Sequence, residues 1–105
     1  MATNRLDILK EMLSQDPNNS FARYGLAMEY TKSDQLAQAV SEFESLMSSD
    51  ETYVAAYYHC GQVLERLGRI DDARATYEKG IEVSTRKGDL HTRAEIEAAL
   101  NLLPV

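Results

Sequence analysis

Residues 20–53, SFARYGLAMEYTKSDQLAQAVSEFESLMSSDETY, are followed at once by a second copy of the same pattern, residues 54–87, VAAYYHCGQVLERLGRIDDARATYEKGIEVSTRK. The offset of about 34 residues is typical of stacked helix-turn-helix units. The residue pairs that define it are Tyr24 and Tyr58, Ala27 and Gly61, Leu36 and Ile70, Ala39 and Ala73, and Phe43 and Tyr77. A unit of this length cannot bury its apolar face alone and must stack on a neighbour. Stacking creates an extended curved surface that can hold another protein.

The composition predicts a single folded domain. The chain has 105 residues, of which 44% are hydrophobic and 27% charged, and its net charge is -6. Nucleic-acid and anionic membrane surfaces bind basic clusters, so this charge argues against both kinds of partner. The sequence contains no apolar run of the roughly 20 residues that span a bilayer, and no secretion signal, so we expect a cytoplasmic protein. Cys60 is the single cysteine, and its apolar helical neighbours predict a buried side chain.

The apolar spacing predicts helices and no strands. We expect six helices, over residues 5–15, 20–32, 35–48, 53–67, 72–86 and 90–103. Thr3 or Asn4 can cap the first helix, and Asp34 and Asp71 are the predicted caps of the third and fifth. Pro17 ends the first helix because proline disfavours helical geometry in the residue before it.

Small residues at matched places explain how the helices of each repeat can pack closely. Ala27 and Gly61 come late in the first helix of each unit, and Ala39 and Ala73 come early in the second. Small side chains allow two helix backbones to approach closely, while larger ones fill the space above and below. The larger residues are Tyr30 and Leu64, and Phe43 and Tyr77.

These residues resemble the tetratricopeptide repeat family. The resemblance covers a first unit at 20–53 and a second at 54–87, and Asp16-Pro17 stands where that family closes a unit. It therefore implies that residues 5–19 form the second half of a preceding unit and residues 88–105 a capping helix. The implied fold is all-α, a right-handed solenoid of antiparallel helix pairs.

The chain also departs from the family pattern. Arg23 replaces the bulky residue that Tyr57 supplies in the second unit, and Asp34 stands where the second unit has Gly68. The second unit lacks a closing proline, so we expect its final helix to run long.

The titratable residues offer no convincing reaction chemistry. His59 and Cys60 are adjacent, and consecutive helical residues point about 100° apart, so they do not form a nucleophile–base pair. His91 and Glu95 have a spacing that suits two metal ligands, but no third ligand is evident. We therefore predict no enzyme activity, no cofactor and no metal site.

The resemblance implies that the first helix of each unit lines an inner groove where partner peptides lie. The groove residues by this comparison are Phe21, Tyr24, Met28, Thr31, Tyr58, His59, Gln62 and Arg66, with Lys32, Ala55 and Glu65 at further groove positions. Gly25 would leave a local depression among them. The alternative is that Tyr24 and Tyr58 simply pack between neighbouring helices, because aromatic residues at helical spacing often belong to the core.

The predicted function is protein–protein interaction, as a small adaptor or assembly factor that holds a peptide or helix of a partner. Chaperone-binding members of the resembled family grip a carboxylate with basic and amide side chains. The matching places here hold Tyr24, Met28, His59 and Gln62, with Arg93 as the one match of charge, so a neutral, partly aromatic segment is the better guess. A structural homodimer is the alternative, with Leu6, Leu9 and Leu13, or Leu100 and Leu103, meeting copies of themselves.

Overall fold

The computed structural model describes residues 4–105, and within this range the chain is helical with no strand. The helices are α1 (Arg5–Gln15), α2 (Ser20–Lys32), α3 (Leu36–Ser49), α4 (Val54–Arg66), α5 (Ile70–Lys87) and α6 (Leu90–Asn101). Each helix packs against the next, and α4 also contacts α6. The all-α expectation and its six helices are confirmed.

Asparagine side chains cap the N-termini of α1 and α2. The Oδ1 atom of Asn4 accepts a hydrogen bond from the Asp7 amide at 2.8 Å, and that of Asn19 accepts one from the Ala22 amide at 3.0 Å. Each satisfies one of the backbone donors that a helix N-terminus leaves free. The prediction of Asn4 is confirmed, and the alternative, Thr3, lies outside the described residues.

The predicted caps of α3 and α5 are wrong. Gln35 and Arg69 occupy the cap positions, and neither side chain accepts a hydrogen bond. Asp34 and Gly68 instead adopt positive φ angles of 63° and 77°, and the amide after each returns to the preceding helix. Gln35 N–H donates to the Tyr30 carbonyl at 2.8 Å and Arg69 N–H to the Leu64 carbonyl at 2.9 Å. These bonds close the C-termini of α2 and α4 through the backbone, and α3 and α5 begin at the next residue without a side-chain cap.

Helix α5 is the longest, with 18 residues against 14 in α3. Its last helical residue is Lys87, and Gly88 forms the C-cap with a φ of 78°, a conformation that suits glycine. The prediction that the missing proline allows a long helix is confirmed. Helices α4 and α6 are shorter than predicted and end at Arg66 and Asn101.

The small residues lie in the core, as predicted. Ala27, Ala39 and Ala73 are 0% exposed, and Gly61 is buried beside them. Phe43 and Tyr77 are also fully enclosed. Leu64 is buried, whereas its repeat partner Tyr30 is half-buried and packs against both the main core and a smaller one between α1 and α2. The smaller core contains Leu9, Ala22 and Leu26.

Candidate functional site

The residues predicted to line the groove lie on α2 and α4, and none of them is fully buried. Phe21 is 64% exposed and Arg66 is also exposed. The half-buried members are Tyr24, Met28, Thr31, Tyr58, His59 and Gln62. We call these eight residues, Phe21, Tyr24, Met28, Thr31, Tyr58, His59, Gln62 and Arg66, the candidate groove.

Aromatic rings connect α2 to α4 across the candidate groove. The centroid of Tyr24 lies 5.1 Å from that of Tyr53, 6.3 Å from Phe43 and 5.8 Å from His59. The ring of His59 then lies 5.2 Å from that of Tyr58 in an edge contact. Separations of this size are favourable for aromatic pairs. Tyr24 and Tyr58 pack against the core, and part of each side chain stays exposed.

His59 is the central ring of this row. Burial lowers the pKa of His59, while the Glu95 carboxylate on α6 acts in the opposite direction. The net direction is downward, so the imidazole is neutral at pH 7 and can both donate and accept a hydrogen bond.

Tyr77 holds two polar side chains of α4 in place from beneath. The Nε2 atom of Gln62 donates to the Tyr77 hydroxyl at 2.8 Å, and that hydroxyl donates to the Glu65 carboxylate. Burial, followed by the hydrogen bond to Glu65, raises the pKa of Tyr77 well above its ordinary value. Glu65 was expected at the groove, but its hydrogen bond from Tyr77 was not.

Gly25 does not form a depression. It is buried, and a Cβ atom at this position would lie 3.0 Å from a methyl group of Leu9. Helix α1 crosses α2 here, so the space beside Gly25 belongs to a helix contact within the chain. The prediction of a local depression at Gly25 was wrong because it considered α2 without α1.

The lysine and arginine side chains near the candidate groove have acidic partners. Arg66 pairs with Asp34 at 2.7 Å, Arg93 with Glu97 at 3.3 Å, and Lys32 approaches Glu29 at 3.8 Å. These pairs lie on α2, α4 and α6 or at the turn after α2. The cations are therefore partly neutralised by the chain itself.

The residues considered for chemistry lie in unreactive surroundings. Burial raises the pKa of the Cys60 thiol to about 12, so the thiolate needed for nucleophilic attack is absent at neutral pH. Between Asn4 and Val105, no three His, Cys, Asp or Glu side chains are grouped so that they could hold a metal ion. His91 and Glu95 lie 3.6 Å apart on an exposed face of α6.

The leucines considered for self-association are mostly covered within the chain. Leu9 is 2% and Leu103 8% exposed, and Leu6, Leu13 and Leu100 are partly buried against the two cores. A second copy could not reach Leu9 or Leu103 without opening the fold. Over residues 4–105, no helix is long and apolar enough to cross a membrane.

A second concave region lies between α3 and α5. This cleft of about 410 Å³ is lined by residues that include Met47, Ala75 and Thr76. The carboxylate of Glu51, also in its lining, pairs with Arg86 at 2.6 Å and Lys79 at 3.6 Å. These ion pairs link the loop after α3 to α5.

Comparison with known proteins identifies the relatives of this fold. The family profile described as "Tetratricopeptide repeat" matches residues 30–85. No curated protein matches the chain. The solution structure of a tetratricopeptide repeat domain protein from Salinibacter ruber is 44% identical over 81% of this chain and 86% of that chain, with a TM-score of 0.76.

Two further structures show how widely the fold is shared. A protein from Bordetella parapertussis is 25% identical, covers 95% of this chain and 87% of its own, and has a TM-score of 0.82. The first TPR of Spaghetti, solved with an HSP90 peptide, is 22% identical over 91% of this chain and 77% of its own, with a TM-score of 0.71. At this identity, the second likeness concerns the fold alone.

Proposed function

The chain belongs to the tetratricopeptide repeat family, and from this premise we propose that it binds a segment of a partner protein along the candidate groove. In this role it is a small adaptor or assembly factor. Members of the family are generally interaction modules without catalytic activity, and we propose the same for this chain.

The observation that carries the proposal is the partial exposure of aromatic and apolar side chains along α2 and α4. Phe21 is 64% exposed, and Tyr24 and Tyr58 each pack on the core while keeping a free portion. Rings fixed on one side lose little entropy when a partner covers the other side. Exposed apolar residues that are grouped in this way are typical of protein interaction sites.

The repeat boundaries are part of the proposal. We propose units at residues 20–53 and 54–87, preceded by a half unit at 5–19 and followed by a capping helix within 88–105. The helix pairs α2–α3 and α4–α5 each fall inside one proposed unit. The polar pair of Arg93 with Glu97 on α6 suits a helix that ends a stack, because an uncovered end needs a polar face.

The chemistry of the candidate groove suggests a different partner from that of the Spaghetti domain. The HSP90 peptide bound there is SRMEEVD, which ends in acidic residues. In this chain Tyr24, Met28 and His59 occupy the central places, and none of them carries a positive charge at pH 7. We therefore propose that the partner is not recognised through an acidic tail.

The proposal is tested by capture of the partner with the full chain as bait, followed by NMR mapping. A segment of the recovered protein is titrated into ¹⁵N-labelled chain, and backbone shifts are followed. We expect the largest shifts at Tyr24, Met28, Tyr58 and His59. Shifts confined to the outer helices, at residues 42–45 and 76–79, would show that the candidate groove is not the binding site.

A pair of exposed variants controls the mapping. Phe21→Ala removes an apolar side chain of the candidate groove, whereas Ile8→Ala removes one that is 48% exposed on α1. Neither side chain is a core residue, so both variants should fold. We expect Phe21→Ala to weaken binding by about tenfold, as the loss of one apolar contact worth about 1.4 kcal/mol implies, and Ile8→Ala to leave it unchanged.

A further inference from the structure

We infer that a second copy of this chain packs on the free face of α6, in an antiparallel pair related by a two-fold axis. The contact is made by four apolar side chains, which we call the α6 row: Leu90, Ala94, Ala98 and Leu102. None of them belongs to the candidate groove, so the contact is independent of the proposed function.

The α6 row is exposed over its whole length. Leu90 is 67% exposed and Leu102 is 84% exposed. Ala94 and Ala98, which lie between them, are exposed as well. A spacing of four residues places these side chains on one side of the helix, and Leu102, the C-cap residue, keeps a right-handed helical backbone. Single exposed apolar residues are ordinary on a protein surface, whereas a grouped row is typical of an interaction site.

Helix α6 is therefore apolar on two sides, because Ile96 and Ala99 on its other side lie in the main core. A surface helix usually has one apolar stripe and a polar face opposite to it. The outer side of α3 follows this rule, with exposed residues that include Ser41, Ser45 and Ser48. The second apolar side of α6 differs, and it is what a helix packed on both sides would have.

The order of side chains in the α6 row suits a second copy of itself. A two-fold contact uses the same patch on both copies, so the patch must complement itself. The order Leu-Ala-Ala-Leu reads the same in both directions along α6. An antiparallel pair therefore places Leu90 against Leu102 of the second copy, and Ala94 against Ala98 of the second copy. The alanines allow the two backbones to approach, while the leucines fill the space at either end. A row at this spacing is also a ridge of the kind that packs most often between helices, at a crossing angle of about -50°.

The α6 row carries no charge, and the charges at its two edges are partly compensated within each copy. Arg93 pairs with Glu97 at 3.3 Å along one edge, and His91 lies 3.6 Å from Glu95 along the other. Because each copy has a net charge of -6, the copies repel one another at long range. Salt screens this repulsion, so the pair should become tighter as salt is added. A contact that depended on ion pairs between the copies would weaken instead.

The contact is small, so the dimer is weak. Helix α6 has 12 residues and is therefore about 18 Å long. One row of side chains on such a helix buries less than the roughly 1,200 Å² at the lower end of stable interfaces. We therefore expect a dissociation constant of about 0.1–1 mM, at which monomer and dimer coexist in a concentrated solution.

Sedimentation equilibrium and NMR of the full chain test the pairing at concentrations from about 0.02 to 2 mM, which bracket the expected dissociation constant. We expect the mean mass to rise from that of the monomer towards that of a dimer, and to rise further at high salt. The amide signals of the α6 row should shift with concentration. A mass that stays monomeric at the highest concentration, or shifts confined to the candidate groove or to Ile8 on α1, overturns the proposal.

Variants at the exposed leucines locate the contact. Leu90→Gln and Leu102→Gln keep the net charge and nearly the same side-chain size, and neither leucine is a core residue, so both variants should fold. Each should weaken association by at least about tenfold, since one substitution alters the contact twice in a two-fold pair. Ile8→Gln, at a position that is 48% exposed on α1, is the matched control and should leave association unchanged. Equal association in all three variants overturns the proposal.

Cross-linking tests the antiparallel arrangement. Under mild oxidation, a mixture of Leu90→Cys and Leu102→Cys chains should form a disulfide-linked dimer, because these positions face one another in the pair. Each variant alone should link at least about tenfold more slowly, since its two cysteines lie at opposite ends of the contact, about 18 Å apart. The native Cys60 is 0% exposed and does not compete. Linking in a single variant as fast as in the mixture overturns the antiparallel pairing.

Discussion

The ring of Tyr77 fills the space beside Gly61 in which any other residue would place its Cβ atom. The three nearest atoms to such a Cβ are Cε1, Cζ and Cδ1 of that ring, all well inside contact distance. Gly61 belongs to α4 and Tyr77 to α5, so this contact sets how closely the two helices approach. At the same places in the first unit, Ala27 and Phe43 make a pair with one more methyl group and one fewer hydroxyl.

Gly61→Ala should therefore destabilise the chain. We expect a loss of about 1–3 kcal/mol in the free energy of unfolding, because the ring of Tyr77 is enclosed and cannot move away. Without this contact, replacing glycine by alanine would stabilise the helix by about 1 kcal/mol. A measured loss of stability would therefore show that the contact with Tyr77 outweighs the helix propensity. Urea denaturation followed by circular dichroism measures it. Gly25→Ala is the control and should cost less, since the nearest atom to its Cβ would be a methyl group of Leu9 at 3.0 Å, farther away than the Tyr77 ring is from a Cβ at Gly61.

Tyr77→Phe should lower the stability of the protein modestly at neutral pH. The variant should also lose less stability than the wild type when the pH is raised. Removing the hydroxyl breaks the bonds to Gln62 and Glu65, which costs about 1 kcal/mol. Burial raises the pKa of Tyr77 above the ordinary value of 10.0. The stabilisation linked to the protonated phenol is therefore complete below pH 10 and is lost as pH rises above it. Between pH 8 and pH 10.5 the urea midpoint of unfolding should fall further in the wild type than in the variant.

The imidazole of His59 should titrate below its ordinary value. Burial disfavours the charged ring more strongly than Glu95 favours it, so the NMR midpoint of its ring protons should lie below 6.5. Its contribution to stability is therefore present above pH 6.5 and is lost as pH falls towards the lower folded-state pKa. Glu95→Gln should lower the midpoint further. A midpoint above 6.5 would show that the carboxylate outweighs burial.

Local signals predicted the parts of the fold that depend on few residues. The bounds of α1 follow from Asn4 and Pro17, which act within one helical turn. The repeat period predicted that Gly61 and Tyr77 lie in equivalent places to Ala27 and Phe43, because stacked units must repeat their contacts.

Other features depend on contacts between residues far apart in the chain. Gly25 looked open because the sequence does not show that α1 crosses α2 at Leu9. The role of Glu65 depends on a bond from Tyr77, 12 residues away. The starts of α3 and α5 were misplaced because Gln35 and Arg69, the residues that follow each positive-φ turn, take the cap positions without a side-chain hydrogen bond.

The ion pair of Arg23 with Glu42 should contribute measurable stability. Their atoms lie 2.6 Å apart and the side chains are only 21% and 22% exposed, at the place where the second unit has Tyr57. A double-mutant cycle with Arg23→Gln and Glu42→Gln should give a coupling energy of about 1–2 kcal/mol. Arg66 with Asp34, which are 48% and 77% exposed, should give less than about 1 kcal/mol. Coupling energies in the reverse order would contradict the burial argument.

The two turns with positive φ should respond differently to the gain or loss of a Cβ atom. Gly68 has φ of 77°, and a Cβ atom placed there would meet no other atom within 4 Å, so Gly68→Ala tests the backbone alone. The left-handed conformation costs a residue with a Cβ about 1–2 kcal/mol, and we expect this loss in the free energy of unfolding.

Asp34 already carries that cost at φ of 63°. Asp34→Gly removes it but also removes the pair with Arg66 and adds flexibility to the unfolded chain. These effects oppose one another, so the net change should be within about 0.5 kcal/mol. A Gly68→Ala variant as stable as the wild type would show that this turn can adopt another backbone geometry.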